Sequence, residues 1–186
     1  MKDGQISRQA AKLRRERLFR KTRPMVRRLE IMDGEAYTRD IGVLWAAYKA
    51  GSFATLKPEM DENEFIAEIE ALQKVHDQVW IIDDFNAAYK DQRGPVALAC
   101  TKSFDLVVNA EGVMFKWASK RNALRCAASF LNMLKHSKKT GICMVKGSRA
   151  QVPFLKHLAG YDLLYYVGKP SEAEWLFSIR GRGSEG

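Results

Sequence analysis

The sequence predicts an α/β (α+β) fold: a mixed, twisted sheet of six or seven strands flanked by helices, preceded by a basic helical arm. Three observations carry that expectation. Apolar residues recur at helical spacing before and after a central block, Val79 to Trp117, in which short apolar runs alternate with polar turns. The most regular helical pattern, Ser119 to about His136, leads into alternating strand-like and helix-like runs. Cations crowd into the first thirty residues, where eleven Lys/Arg face three acids for a net +8; the rest holds twenty against nineteen, a net +1.

The elements follow in order. Ser7 is placed to cap a helix from Arg8 to Lys21, and Pro24, which has no N–H, closes it. Its apolar residues are few (Ala10, Ala11, Leu13, Leu18, Phe19), and Lys12, Arg14, Arg15, Arg17, Arg20, Lys21 and Arg23 cover most of its surface. Leu18 and Phe19 can dock as a small anchor, but an isolated helix of this length is marginal in water and its like charges repel, so the arm is expected to be mobile alone and ordered by a partner. Met25 to Ile31 reads as a first strand, and Asp33-Gly34 as a turn. Tyr37, Ile41, Leu44, Trp45 and Tyr48 give a helix that Gly51-Ser52 stops. Asp61 with Glu64 three residues on resembles a capping box for a second helix carrying Phe65, Ile69 and Leu72. Val79–Ile82, Pro95–Cys100 and Asp105–Trp117 read as antiparallel strands, the last broken at Glu111-Gly112 by a tight turn or bulge. After the long helix come a strand at 141–145, a short helix from Arg149 to Leu158, a strand at 163–167 and a last strand with Trp175, Phe177 and Ile179. The organisation is an arm over 1–24, a body over 25–180 and a loose tail over 181–186.

Composition excludes several classes. Hydrophobic residues at 46% and charged residues at 28% are those of a globular chain. No apolar run approaches the ~18–20 residues of a membrane span. The start has no apolar core behind it, so a secretory signal is not expected. Cys100, Cys126 and Cys143 are widely spaced with no CxxC pair, which suggests neither a disulfide framework nor zinc. His76 and His136 have no ligand-spaced partners. The arm has three open uses: a solvated tail, contact with nucleic acid phosphates, or docking on an acidic protein face. A contact would run through Arg14, Arg15, Arg17, Leu18, Phe19, Arg20, Lys21, Arg23, Arg27 and Arg28. No zinc finger, no RNA-recognition motif and no aromatic interleaving argue for base readout.

The element order, together with the segment Met144 to Tyr161 (strand, polar turn, then a short helix ending near Gly160-Tyr161), resembles the GNAT family of N-acetyltransferases over about residues 25–180. Within it, the Phe154-Leu155-Lys156 run resembles degenerate members among the internal virion proteins of short-tailed bacteriophages, which implies a virion or host-cytoplasm location. The resemblance implies a coenzyme A pyrophosphate held on backbone N–H groups where the long helix begins, on a loop whose glycines let the backbone approach. The matching stretch is Lys116 to Asn122, with Lys116 in the Gln/Arg place but Ser119 and Arg121 in the glycine places. Ser119, Lys120, Arg121, Asn122 and Arg125 are therefore the candidate coenzyme contacts, by charge rather than by a glycine cradle.

The family's catalytic tyrosine position holds Leu155, or His157 in a slipped register. Glu111 and Asp105 lie where the family places a general base, yet both read as turn acids. Asp83-Asp84 reads either as a paired carboxylate site or as the start of a loop. The expectation is thus a non-catalytic GNAT-like structural or binding component with no catalytic residue, metal or resident cofactor. It would be tethered by its arm to a protein neighbour or nucleic acid. The alternative is an acetyl-CoA-dependent N-acetyltransferase with an atypical coenzyme site.

Overall fold

The computed structural model describes residues 8–20, 22–29, 35–84, 94–104, 107–136, 142–148, 152–171 and 174–179. The elements are α1 (Arg8–Leu18), β1 (Met25–Arg28), α2 (Glu35–Lys49), α3 (Glu62–Val75), β2 (Gln78–Asp83), β3 (Pro95–Phe104), β4 (Val107–Met114), α4 (Lys120–His136), β5 (Ile142–Ser148), α5 (Val152–Ala159), β6 (Tyr165–Ser171) and β7 (Glu174–Ile179). The strands form one sheet in the order β1-β2-β3-β4-β5-β7-β6. Every pairing is antiparallel except β4 with β5, which are parallel. A parallel step cannot be closed by a hairpin, and α4 is the crossover that makes it.

Period-two alternation divides β2 and β3 between two cores. Val79, Ile81, Leu98 and Cys100 face α2 and α3, where Leu44, Phe53, Phe65, Ile69 and Phe115 complete a buried cluster. Ile82, Ala97 and Ala99 face α4, against Cys126 and Phe130. Phe65 is fully buried and has the rings of Trp45, Tyr48 and Phe53 around it, so truncating it to alanine should cost about 3–5 kcal/mol. The capping box at the start of α3 is complete. Glu64 N–H donates to Asp61 Oδ1 at 2.8 Å, and Asp61 N–H donates to Glu64 Oε2 at 3.0 Å.

Two expectations are corrected. Glu111-Gly112 is neither a turn nor a bulge. β3 and β4 pair without a register shift from Ala97↔Met114 to Phe104↔Val107, with Glu111 opposite Cys100. The glycine answers a close approach, since a Cβ at position 112 would stand 3.0 Å from the Leu98 carbonyl oxygen. The arm is also not a free segment: α1 is docked on the body. Ala11 and Leu18 are buried, and Leu18 packs with Leu131, Leu155, Leu158 and Leu164, with Phe19 beside it. Arg15 Nη1 donates to the carbonyls of Tyr161 (3.0 Å) and Asp162 (3.2 Å) and pairs with the Asp162 carboxylate. Two buried apolar residues and one well-anchored arginine offset the repulsion that would leave an isolated helix unformed.

Candidate active site

The centre of the sheet opens. β4 and β5 pair only over Val107–Asn109 with Ile142–Met144, among the described residues. β4 then continues to Met114 on β3, and β5 continues to Ser148 on β7. The two strands diverge, and a wedge lies between 110–114 and 145–148. Each strand edge facing that wedge carries backbone N–H and C=O groups without a sheet partner across it. An extended ligand bearing amides can enter such a gap as an added strand.

The chain leaves β4 beside this wedge and begins α4. Ser119 is the N-cap: its Oγ accepts from Asn122 N–H at 3.1 Å, and Asn122 Oδ1 accepts from Ser119 N–H at 3.2 Å. Asn122 Nδ2 in turn donates to Asp84 Oδ2 at 3.0 Å. Ser119 and Asn122, two of the five residues that the sequence placed at the coenzyme, are thus committed to the helix cap and to Asp84. Lys120 and Arg121 are exposed, and their own N–H groups have no intrahelical acceptor.

Arg125 has a different fate from the one expected of it. Its side chain is 4% exposed and Asp84 is 0% exposed. Nε donates to Asp84 Oδ2 at 2.9 Å and Nη2 to Oδ1 at 3.3 Å. Nη1 donates to the Leu18 carbonyl at 2.6 Å, and Nη2 also reaches the Thr22 carbonyl at 2.5 Å. One guanidinium therefore joins α4, the end of β2, the last carbonyl of α1 and the Thr22 carbonyl in the connection to β1. Ser129, one turn on, donates to the Pro24 carbonyl at 3.1 Å. All three nitrogens of Arg125 are engaged and its side chain is buried, so it does not stand at the surface for a phosphate.

Asp83 and Asp84, adjacent in sequence, are separated by the pleat. Asp83 accepts from Arg27 Nε at 2.7 Å, and Arg27 also grips Asp40 on α2 through Nη2 at 2.8 Å. The hydrogen bond to Asp40, followed by that to Asp83, holds the Arg27 guanidinium pKa above its ordinary value against the opposing effect of burial. Each aspartate has its own arginine, so the doublet is not a shared carboxylate site, and Arg27 is spoken for inside the body. Among the described residues, no group of three or more His, Cys, Asp or Glu could hold a metal ion.

The α3 face of the wedge carries a pair that sequence reasoning did not join. Glu111 is the second residue past the last β4–β5 pair, and its side chain is 71% exposed. His76, just past α3, places Nε2 2.6 Å from Glu111 Oε1 and Nδ1 2.9 Å from the Leu72 carbonyl. The carbonyl only accepts, so Nδ1 carries a hydrogen. Nε2 then either donates to the Glu111 carboxylate or accepts from its protonated form, which makes the pair able to take up and release one proton. Cys100, across from Glu111, is no nucleophile: burial first, and the Glu111 charge second, push its thiol up to about 12. Burial likewise raises the Cys126 thiol, with Asp84 adding to the shift.

On α5, Leu155 is buried in the cluster with Leu18, while His157 is exposed and edges onto Tyr161 at 5.4 Å. Neither residue is joined to the His76–Glu111 pair by a described contact. Of the arm residues expected to meet a partner, Arg15 and Leu18 are turned to the body, with Phe19 half-buried. Arg14, Arg17 and Arg20 are exposed, Arg23 lies over Phe19, and Arg28 lies over Trp80. Lys21 and Asp105 lie outside the described residues.

No protein-family model matches the chain, and no curated protein matches it. Solved structures do. An acetyltransferase of the GNAT family from Bacillus anthracis superposes with a TM-score of 0.58 at 12% identity, covering 85% of this chain and 95% of that one. A spermidine N-acetyltransferase from Vibrio cholerae, solved with CoA and spermine, gives 0.57 at 12% identity over 85% and 95%. An N-acetyltransferase from Staphylococcus aureus gives 0.53 at 15% identity over 85% and 97%. Nothing in these similarities supports the narrower likeness to phage virion proteins. At such identities the likeness is one of fold, and the chain has the fold of the GNAT N-acetyltransferases.

Proposed function

We propose that the chain is a coenzyme A-dependent N-acyltransferase with an atypical coenzyme site. The observation that carries this reading is the wedge between β4 and β5, with α4 starting at its mouth and the His76–Glu111 pair on its α3 side. The fit to the coenzyme is uneven. The open strand edges suit the amides of a pantetheine arm. The first turn of α4 is a capped helix without glycines, so the phosphates would rest on the charges of Lys120 and Arg121 and on first-turn N–H groups. The coenzyme supplies an acyl group activated as a thioester. The chain's own residues would do the rest: the strand edges hold the donor extended, and Glu111, backed by His76, takes the proton that the acceptor amine must lose to attack.

A second reading, a non-catalytic GNAT-like binding component such as a virion protein, has its own support. Leu155 stands where the family's tyrosine would protonate the departing thiolate, and the side chains of Ser119 and Asn122 are engaged in the cap. Native mass spectrometry and calorimetry of the full chain with acetyl-CoA and CoA decide between them. Retention of either, lost on Arg121→Glu, supports the acyltransferase; a folded protein that binds neither at millimolar concentration leaves the second reading standing.

A further inference from the structure

We infer that the outer side of α1 is a binding surface for the sugar–phosphate backbone of a nucleic acid, separate from acyl transfer. Docking sorts the residues of this helix into two sets. Ala11, Arg15 and Leu18 face the body. Lys12, Arg14 and Arg17, with Arg20 just past the last turn, face solvent, and none of them forms an ion pair among the described residues. Glu16 is the single acid on the helix.

Arg14 and Arg17 stand three residues apart on one side of α1, and Arg20 follows just past the helix end. At ~1.5 Å per residue, Lys12, Arg14 and Arg17 cover about 7.5 Å of the helix, along which a duplex presents about four phosphates at one per ~1.7 Å. Like charges at this spacing destabilise a helix. Cations near a helix C-terminus complement its dipole, which accounts for Arg15 and Arg17 but not for Lys12 or Arg14. The surface is also pre-ordered: Arg125 grips the Leu18 and Thr22 carbonyls, so binding a polyanion need not order the helix first.

A protein partner fits less well. Protein interfaces draw most of their energy from a few desolvated anchors, Trp, Tyr and Arg foremost, and α1 has arginines but no Trp or Tyr to pack beside them. Leu18 and Phe19, the anchors this segment has, are already packed on the body, and Leu13 alone among the large apolar residues of α1 is left outside, 51% exposed. What remains is charge without a frame for reading bases, which is the chemistry of backbone contact.

The test uses the full chain and fluorescence anisotropy with a short DNA duplex and a short single-stranded RNA, each in two unrelated sequences. Affinity should be indifferent to sequence. Neutralising about three phosphates should cost roughly fortyfold in affinity for the duplex, and roughly twentyfold for the single strand, between about 50 and 200 mM salt. The triple variant Arg14→Gln, Arg17→Gln, Arg20→Gln should lose more than about tenfold at the lower salt, with a melting temperature no lower than the parent's. Binding of only the duplex or only the RNA supports the inference and names the source of the phosphates. Four results overturn it: parent-like affinity in the triple variant, binding that is insensitive to salt, no binding of either nucleic acid, or tighter binding of labelled poly-glutamate. Displacement of the nucleic acid by equimolar CoA overturns it as well, because the charges would then belong to the coenzyme site.

Discussion

Two acid–base pairs bracket the sheet, and they differ in what surrounds them. Asp84–Arg125 lies under α1 and α4 with both side chains sealed from water and every charged atom engaged. Glu111–His76 lies on the other face near the narrow end of the wedge, with the carboxylate open to solvent. The first pair cannot exchange a proton or meet a ligand without unfolding its surroundings. The second can do both. A buried, fully bonded pair fixes how elements meet; an exposed pair beside a gap in the sheet is available for chemistry. If that division is right, the buried pair should dominate stability and the exposed pair should be nearly silent in it.

The largest effect should come from the buried pair. Arg125→Ala leaves Asp84 charged and enclosed and removes the donors to two carbonyls of the arm, so it should cost about 3–5 kcal/mol. Replacing both members with apolar residues of similar volume should recover most of that in a denaturant melt. The double variant should still be nicked by protease between α1 and β1 faster than the parent, because the Leu18 and Thr22 carbonyls stay without their donor. If Arg125→Ala melts at the parent's temperature, the pair is not what joins these elements.

An intermediate effect is expected at high pH. The Cys100 thiol is pushed up to about 12 in the fold, against about 8.5 for a free thiol. A group whose folded pKa is raised gives stability that is intact below the unfolded pKa and is lost as pH rises toward the folded one. Stability should therefore fall above about pH 8.5, by about 1.4 kcal/mol per pH unit for this thiol. Cys126 acts in the same direction. Cys100→Ala should flatten the fall measured by urea titration between about pH 9 and pH 11. An unchanged slope would mean that the thiol is not held neutral by burial.

The sequence shows local features well and remote pairings poorly. The capping box at Asp61 and Glu64 is legible because both residues lie within one turn. The strands at Val79–Ile82 and at Ala97–Cys100 are legible as short apolar runs, because a strand covered on both faces is apolar at successive positions. Glu111-Gly112 misleads because its composition is that of a turn, while the glycine is required by a carbonyl of the neighbouring strand. Arg125 misleads in the opposite way. It stands on the buried stripe of α4 with Asn122, Cys126 and Ser129, and a charge on such a stripe needs an enclosed partner, a signal that was there to be used. Asp84 as that partner, and Glu111 for His76, lie 41 and 35 residues away, where no spacing rule reaches.

The smallest effect on stability, and the sharpest test of the division, is Glu111→Gln. The carboxylate is exposed, so its loss should change the melting free energy by no more than about 0.5 kcal/mol. The amide oxygen can still accept from His76, which keeps the local geometry. Cys100 should titrate at a lower pH, since Glu111 is one of the two influences that raise it. Acyl transfer to an amine, followed by release of the coenzyme thiol, should fall by about 10²–10⁴-fold with coenzyme affinity unchanged, because a general base is lost while the wedge is not. His76→Phe should reproduce part of that loss and shift the pH–rate profile, since it removes the second proton carrier and keeps the carboxylate. A Glu111→Gln enzyme as fast as the parent would place the proton transfer elsewhere, and one that melts several kcal/mol early would make the exposed pair structural after all.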